Sequence, residues 1–133
     1  LRFKWYLSAK DVMEVMKMVD LVTPNQDEFK FLGIDRAVAS GALELGKDFA
    51  LLLKGGHSVG CDAVDVLWNR DGQQYKFTSP RIEGEGKHGT GCNLSSAILA
   101  NLALGKTLPE ACEIAKKYMS EFIQSGEGRL GFI

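Results

Sequence analysis

The run Lys87-His88-Gly89-Thr90-Gly91-Cys92-Asn93-Leu94-Ser95-Ser96 is the part of the chain whose residue types point most directly to chemistry. Gly84, Gly86, Gly89 and Gly91 supply a backbone that turns tightly and lets a ligand approach closely. Cys92 to Leu104 reads as a helix closed by Gly105. Its unpaired N–H groups and dipole would aim back at the glycines, an arrangement suited to an anion. The same glycines also fit a flexible entry to a helix with no ligand at all. Cys92 falls in the first turn, where the dipole favours the thiolate and suits a thiol to act as base or polariser for a hydroxyl. The alternative is a small buried hydrophobe, and Cys61 and Cys112 are assigned to that alternative. His88, beside the loop, is expected to donate a hydrogen bond rather than ligate a metal.

Two further segments carry polar groups at places where α/β proteins bind ligands. Thr23-Pro24-Asn25-Gln26-Asp27-Glu28 ends a strand and opens a helix. Asn25 with Glu28 fits a helix cap and its N3 acid. Alternatively, Glu28 faces the site and holds magnesium through water, since magnesium takes few carboxylates beside waters and phosphate oxygens. Lys54-Gly55-Gly56-His57 follows an apolar strand, and open α/β sheets bind ligands just beyond strand carboxyl ends. A solvated lysine beside a glycine turn is the plainer reading. Two familiar motifs fail. Gly86 to Gly91 has P-loop spacing, but Cys92-Asn93 stands where Lys-Ser/Thr belongs. Gly84-x-Gly86-x-x-Gly89 matches the dinucleotide fingerprint only formally, because no strand leads straight into it.

The elements that must position these groups are legible from pattern. Ser8 with Asp11 resembles a capping box opening a helix to about Val19, with Val12, Val15, Met16 and Val19 on its buried face. Leu21-Val22-Thr23 reads as a short strand ended by Pro24. Helices are expected from Asn25 through Leu32, stopped by Gly33, and from Asp35 to roughly Leu45. Phe49 to Lys54 is a continuous apolar run, as in strands covered on both faces. Ala63–Trp68 and Gln74–Thr78 flank Asp71-Gly72, a hairpin signal, with Tyr75, Phe77 and Ser79 alternating against Gln74, Lys76 and Thr78. Thr107 and Glu110 form a second capping box, launching a helix to about Ile123. This order predicts an α/β fold with an antiparallel edge.

Composition narrows the class. The chain has 133 residues, 45% hydrophobic and 25% charged, and sixteen basic residues against seventeen acidic leave a formal charge of −1. That is one ordinary domain able to enclose a core, without the basic stripe of a nucleic-acid binder. No apolar run approaches the roughly 20 residues that span a bilayer, so no membrane partner is expected. Three cysteines without CxxC spacing suit a reduced, cytoplasmic protein. The chain opens on Leu1-Arg2-Phe3 without methionine and is expected to be a fragment or to lack its upstream part.

Taken together, Leu21-Val22-Thr23-Pro24-Asn25 with Glu28, Leu53-Lys54-Gly55-Gly56-His57, Val64-Asp65-Val66-Leu67, and His88-Gly89-Thr90-Gly91-Cys92 followed by Leu94-Ser95-Ser96-Ala97 resemble, in order and spacing, the hydroxymethylpyrimidine/phosphomethylpyrimidine kinases of thiamine biosynthesis. Ala111 to Tyr118, with Ala115-Lys116, is similar to that family's closing helix, and the resemblance spans roughly 12–123. It implies a ribokinase-like fold: three layers, α/β/α, with a mostly parallel sheet and an antiparallel hairpin at one edge. It implies that residues 1–133 are the C-terminal, nucleotide-binding part of such a domain without its N-terminal half. The implied reaction is transfer of the γ-phosphate of ATP, with Mg2+, to a small-molecule pyrimidine alcohol or its monophosphate. Gly89, Thr90 and Gly91 would form the anion hole, and Cys92 would stand at the catalytic base. Asn25 and Glu28 would organise phosphates and magnesium, while Lys54, Gly55, Gly56 and His88 would line the nucleotide. A homodimer is also implied. Cysteine in this motif is shared with some pyridoxal kinases, so vitamin B6 kinase is an alternative, and a non-catalytic nucleotide-binding remnant is another.

Overall fold

A computed structural model describes residues 8–55, 62–80 and 90–124. The elements in chain order are α1 (Ala9–Met16), β1 (Leu21–Val22), α2 (Gln26–Phe31), α3 (Ile34–Ala39), β2 (Ala50–Leu53), β3 (Asp62–Trp68), β4 (Gln74–Pro80), α4 (Thr90–Ala103) and α5 (Leu108–Gln124).

Local chemistry starts several of these elements. Ser8 and Asp11 close a reciprocal capping box on α1, with Ser8 N donating to Asp11 Oδ2 at 3.0 Å and Asp11 N to Ser8 Oγ at 3.2 Å. Thr107 and Glu110 do the same for α5, at 2.9 and 3.4 Å. Each pair satisfies donors that a helix start leaves without an intrahelical partner. The hairpin turn forms at Asn69–Gln73, where Asp71 accepts from Gln73 N at 2.8 Å and from Tyr75 Oη at 2.9 Å. Tyr75, Phe77 and Ser79 turn inward while Gln74, Lys76 and Thr78 are exposed, as the alternation predicts.

Two helices end sooner than pattern suggests. α1 stops at Met16 rather than Val19, because Met18 N and Val19 N bond to Val15 O and Met16 O in tightened three-residue steps. Its buried face is accordingly Met16, with Val12 and Met13 packed beside it, while Val15 and Val19 are exposed. α3 stops at Ala39 rather than Leu45, because Gly41 takes a left-handed φ of 77° that ends the helix. The chain then folds back, so that Leu43 N bonds to Ala37 O at 3.1 Å and Leu43 is buried.

The sheet order is β1-β2-β3-β4. β1 runs parallel to β2, with Leu21 opposite Ala50, and β2–β3 and β3–β4 pair antiparallel, with Leu52 opposite Leu67 and Asp65 opposite Phe77. The apolar run of β2 shows why the fold has layers. Ala50 and Leu52 face a core with Leu94, Ile98, Ala111, Cys112, Ala115 and Met119 of α4 and α5. Leu51 and Leu53 face a second core with Met16, Ile34, Leu43 and Phe49 on the α1–α3 side. Successive residues of a strand point to opposite faces, so one strand anchors both helical layers. Each fully buried leucine contributes about 1.5–3 kcal/mol. The result is the expected α/β/α arrangement with the antiparallel hairpin at one edge. Among the described residues, however, the sheet is not mostly parallel: one strand pairing is parallel and two are antiparallel, because β3 pairs with β2 as well as with β4. No helix of the described residues is long and apolar enough to cross a membrane.

Candidate functional site

Because β1 and β2 are parallel, their carboxyl ends emerge side by side. Lys54 N donates to Pro24 O at 2.9 Å, and Asn25 and Lys54 continue the pairing as an isolated parallel bridge. The start of α4 comes to the same place. A side chain added at Gly91 would bring its Cβ to 3.3 Å from Lys54 Nζ. Ser95 Oγ donates to Gly91 O at 3.1 Å and lies 3.4 Å from Thr23 Oγ1. With the Ser95 hydrogen engaged, Thr23 is the donor of that second contact. The end of β1, the end of β2 and the first turn of α4 thus meet at one point.

Of the residues singled out from sequence, Asn25, Lys54, Gly55 and Gly91 are brought together here. Cys92 follows Gly91 and is exposed. The backbone of Thr90 opens α4. Gly56, His57, His88 and Gly89 lie outside the described residues. Asn25 and Glu28 form the reciprocal cap: Glu28 N donates to Asn25 Oδ1 at 2.8 Å, and Asn25 N to Glu28 Oε2 at 2.9 Å. One oxygen of the exposed Glu28 carboxylate is therefore occupied in starting α2. Among the described residues no three His, Cys, Asp or Glu side chains cluster as a protein-only metal cage. A single carboxylate is compatible with a hard divalent cation completed by water and phosphate oxygens.

Gly55 is held by steric and polar contacts that spacing did not reveal. A Cβ at this position would stand 1.9 Å from Val64 O of β3. Its N–H donates to Asp65 Oδ1 at 2.9 Å, and the other oxygen, Oδ2, pairs with Lys116 Nζ at 2.9 Å. Both side chains of that pair are nearly buried, 9% and 12% exposed. No motif of its own marks Asp65 or Lys116, yet the sequence holds one signal for the first. Asp65 shares strand parity with Ala63 and Leu67, so a carboxylate on that inward face needs a partner. Gly55→Ala is expected to cost about 3 kcal/mol or more, because the colliding atom belongs to the backbone of a paired strand. Urea unfolding followed by circular dichroism measures it, and a loss under about 1 kcal/mol would mean the two strands are not so tightly apposed.

Cys112 lies 1% exposed in the same core, and its pKa is pushed up to about 12, first by burial and then by the negative charge of Asp65. Such a thiol is a packing group, unlike exposed Cys92. Its stabilising contribution is complete below the unfolded value of 9.0 and is lost as pH rises toward about 12. Native alkylation at pH 8 should therefore label Cys92 and spare Cys112 until the chain unfolds. Peptide mass mapping reads both positions, and equal labelling of the two would contradict the burial.

Two helical layers about a mixed sheet, with polar groups gathered where parallel strand ends meet the head of a helix, define a layered α/β protein, and its likeness to solved kinases makes the fold ribokinase-like. The family model for phosphomethylpyrimidine kinase matches residues 7–131, and the chain belongs to that family. It is 39% identical over 123 residues to a hydroxymethylpyrimidine/phosphomethylpyrimidine kinase of Aquifex aeolicus, covering 86% of this chain and 47% of the relative. A relative of the same name from Streptomyces coelicolor is 37% identical over 120 residues, covering 84% of this chain and 44% of that protein. The chain therefore spans about half the length of the curated relatives it matches. Among solved structures, the ADP complex of Bacillus subtilis pyridoxal kinase superposes with a TM-score of 0.73 at 26% identity, covering 90% of this chain and 50% of that one.

Proposed function

We propose that the chain is the C-terminal, nucleotide-binding part of an ATP-dependent kinase acting on hydroxymethylpyrimidine and/or its monophosphate. The observation that carries this is the meeting of Lys54 with Gly91 at the head of α4, beside the bridge to Asn25. Phosphoryl transfer requires mostly positioning and stabilisation of charge spread over the transferred oxygens. In this reading the Lys54 ammonium offsets phosphate charge, and backbone N–H groups of Gly89, Thr90 and Gly91 receive the phosphoryl oxygens. Cys92 accepts the proton of the attacking alcohol. Gly55 and Gly56 carry the backbone past the nucleotide, Gly55 with its bare Cα packed against Val64 O of β3, and His88 donates a hydrogen bond beside it. Glu28 would hold magnesium through water; bound there, the ion would neutralise the charge of the phosphates. The working protein is proposed to be a cytoplasmic homodimer with a small-molecule acceptor and neither nucleic acid nor membrane as partner.

A second reading, pyridoxal as acceptor, is favoured by the likeness to the Bacillus subtilis pyridoxal kinase. The test is ADP release from magnesium-ATP across hydroxymethylpyrimidine, its monophosphate and pyridoxal. Turnover on either pyrimidine supports the proposal, and turnover on pyridoxal alone moves the activity to the vitamin B6 branch. Silence on all three, with ADP still bound, would leave a nucleotide-binding module without catalysis.

A further inference from the structure

The end of β2 is held in place by a group that takes no part in the chemistry proposed above. Asp65 uses its two carboxylate oxygens on different partners: Oδ1 accepts from Gly55 N at 2.9 Å, and Oδ2 pairs with Lys116 Nζ at 2.9 Å. The first contact reaches the residue after Lys54, where β2 has already left its ladder with β3, whose last matched position is Leu53 opposite Val66. The second contact reaches into α5, whose neighbouring residues Cys112, Ala115 and Met119 are core. A single buried carboxylate thus ties the exit of β2 to a helix seated in the core. Without it, the peptide between Lys54 and Gly55 has less to fix its orientation, and that peptide determines where the Lys54 side chain starts relative to Gly91.

We infer that Asp65 is a positioning residue for the nucleotide site, holding the Lys54–Gly55 peptide in register with the head of α4 through its bond to the Gly55 amide, with Lys116 fixing the carboxylate from behind. The inference rests on the kinase reading for what this strand end binds, and on geometry alone for how it is held. What the inference requires of residue 65 is an acceptor aimed at Gly55; the charge serves to lock that acceptor to α5. A neutral pair that preserves the acceptor should therefore suffice, and an apolar pair of similar volume should not, although both remove the buried charges together and so avoid leaving one of them unpaired.

The experiment compares the unsubstituted chain with two double variants, Asp65→Asn/Lys116→Gln and Asp65→Leu/Lys116→Met. Thermal melts by circular dichroism establish that each is folded, ADP affinity is measured by calorimetry, and exchange of the Gly55 amide is followed by NMR. The asparagine variant is expected to bind ADP within about twofold of the unsubstituted chain and to keep the Gly55 amide protected. The leucine variant, folded, should bind about tenfold or more weakly and exchange Gly55 rapidly, since small misplacements of binding groups carry large penalties. Equal binding by both variants, or equal weakening in both, overturns the inference, because neither outcome depends on the acceptor. Should the unsubstituted chain not bind ADP, the nucleotide reading fails separately, and the exchange rates still decide: Gly55 protected in the leucine variant refutes the anchoring role. If the leucine variant does not fold, Asp65→Ala/Lys116→Met removes the acceptor without added bulk and is read in the same way.

Discussion

Lys116→Met is expected to lower the unfolding free energy by about 3–5 kcal/mol, a large part of the stability of an ordinary domain. The methionine fills much of the volume of the lysine stem, so packing on α5 changes little. What changes is Asp65, which is left as a buried carboxylate with its Oδ2 unpaired, 9% exposed beside the Cys112 core. Removing one partner of a buried pair is costly because the remaining charge keeps its desolvation penalty and loses the attraction that offset it. Replacing both charges tests this directly. Asp65→Asn/Lys116→Gln retains a hydrogen bond between the side chains and the acceptor for Gly55, and should recover most of the loss. Urea titrations of the single and double variants, read as a double-mutant cycle, give the coupling energy. A single-variant loss below about 1 kcal/mol would show that water reaches the pair.

Cys92→Ala is expected to slow phosphoryl transfer by about 10²–10⁴-fold while ADP affinity stays unchanged, the range contributed by a positioned general base. The substitution removes a small exposed group at the start of α4, and alanine is the best helix former, so the backbone of the proposed anion hole should persist. The separation of the two readouts matters. A fall in ADP affinity equal to the fall in rate would mean that Cys92 shapes the phosphate site rather than accepting the alcohol proton. Undiminished turnover would remove Cys92 from the chemistry altogether, whatever the acceptor. Single-turnover transfer from magnesium-ATP, with ADP binding measured in parallel, distinguishes these results.

Much of the local structure was legible in advance because its causes are local. The capping boxes at Ser8, Asn25 and Thr107 each need only a side chain and an acid three residues later. The hairpin follows from Asp71-Gly72 and from period-two alternation in β4. The both-faced burial of β2 follows from a run with no polar position. Where reading by pattern erred, the error lay at helix ends, where apolar periodicity runs on past the point at which the backbone turns. α3 ends at Ala39, ahead of the left-handed Gly41, and the chain then folds back to bury Leu43, while α1 buries Met16 rather than Val15 or Val19 because the chain tightens and turns early toward β1. Asn25 and Glu28 show the same limit from the other side. Their spacing permitted both a cap and a phosphate-organising role, and the cap is the one visible in the hydrogen bonds.

By itself, then, the amino-acid sequence determined the identity of the elements, the glycine-led entry to α4 and the family, since these reside in residue type and short spacing. The tertiary structure alone decided which polar groups stand inside and what they hold. Asp65 and Lys116 lie on different elements, and nothing in either stretch names the other as its partner. They meet only because β3 and α5 pack across the same core, where the loss of water makes a carboxylate take up both an ammonium and the Gly55 amide.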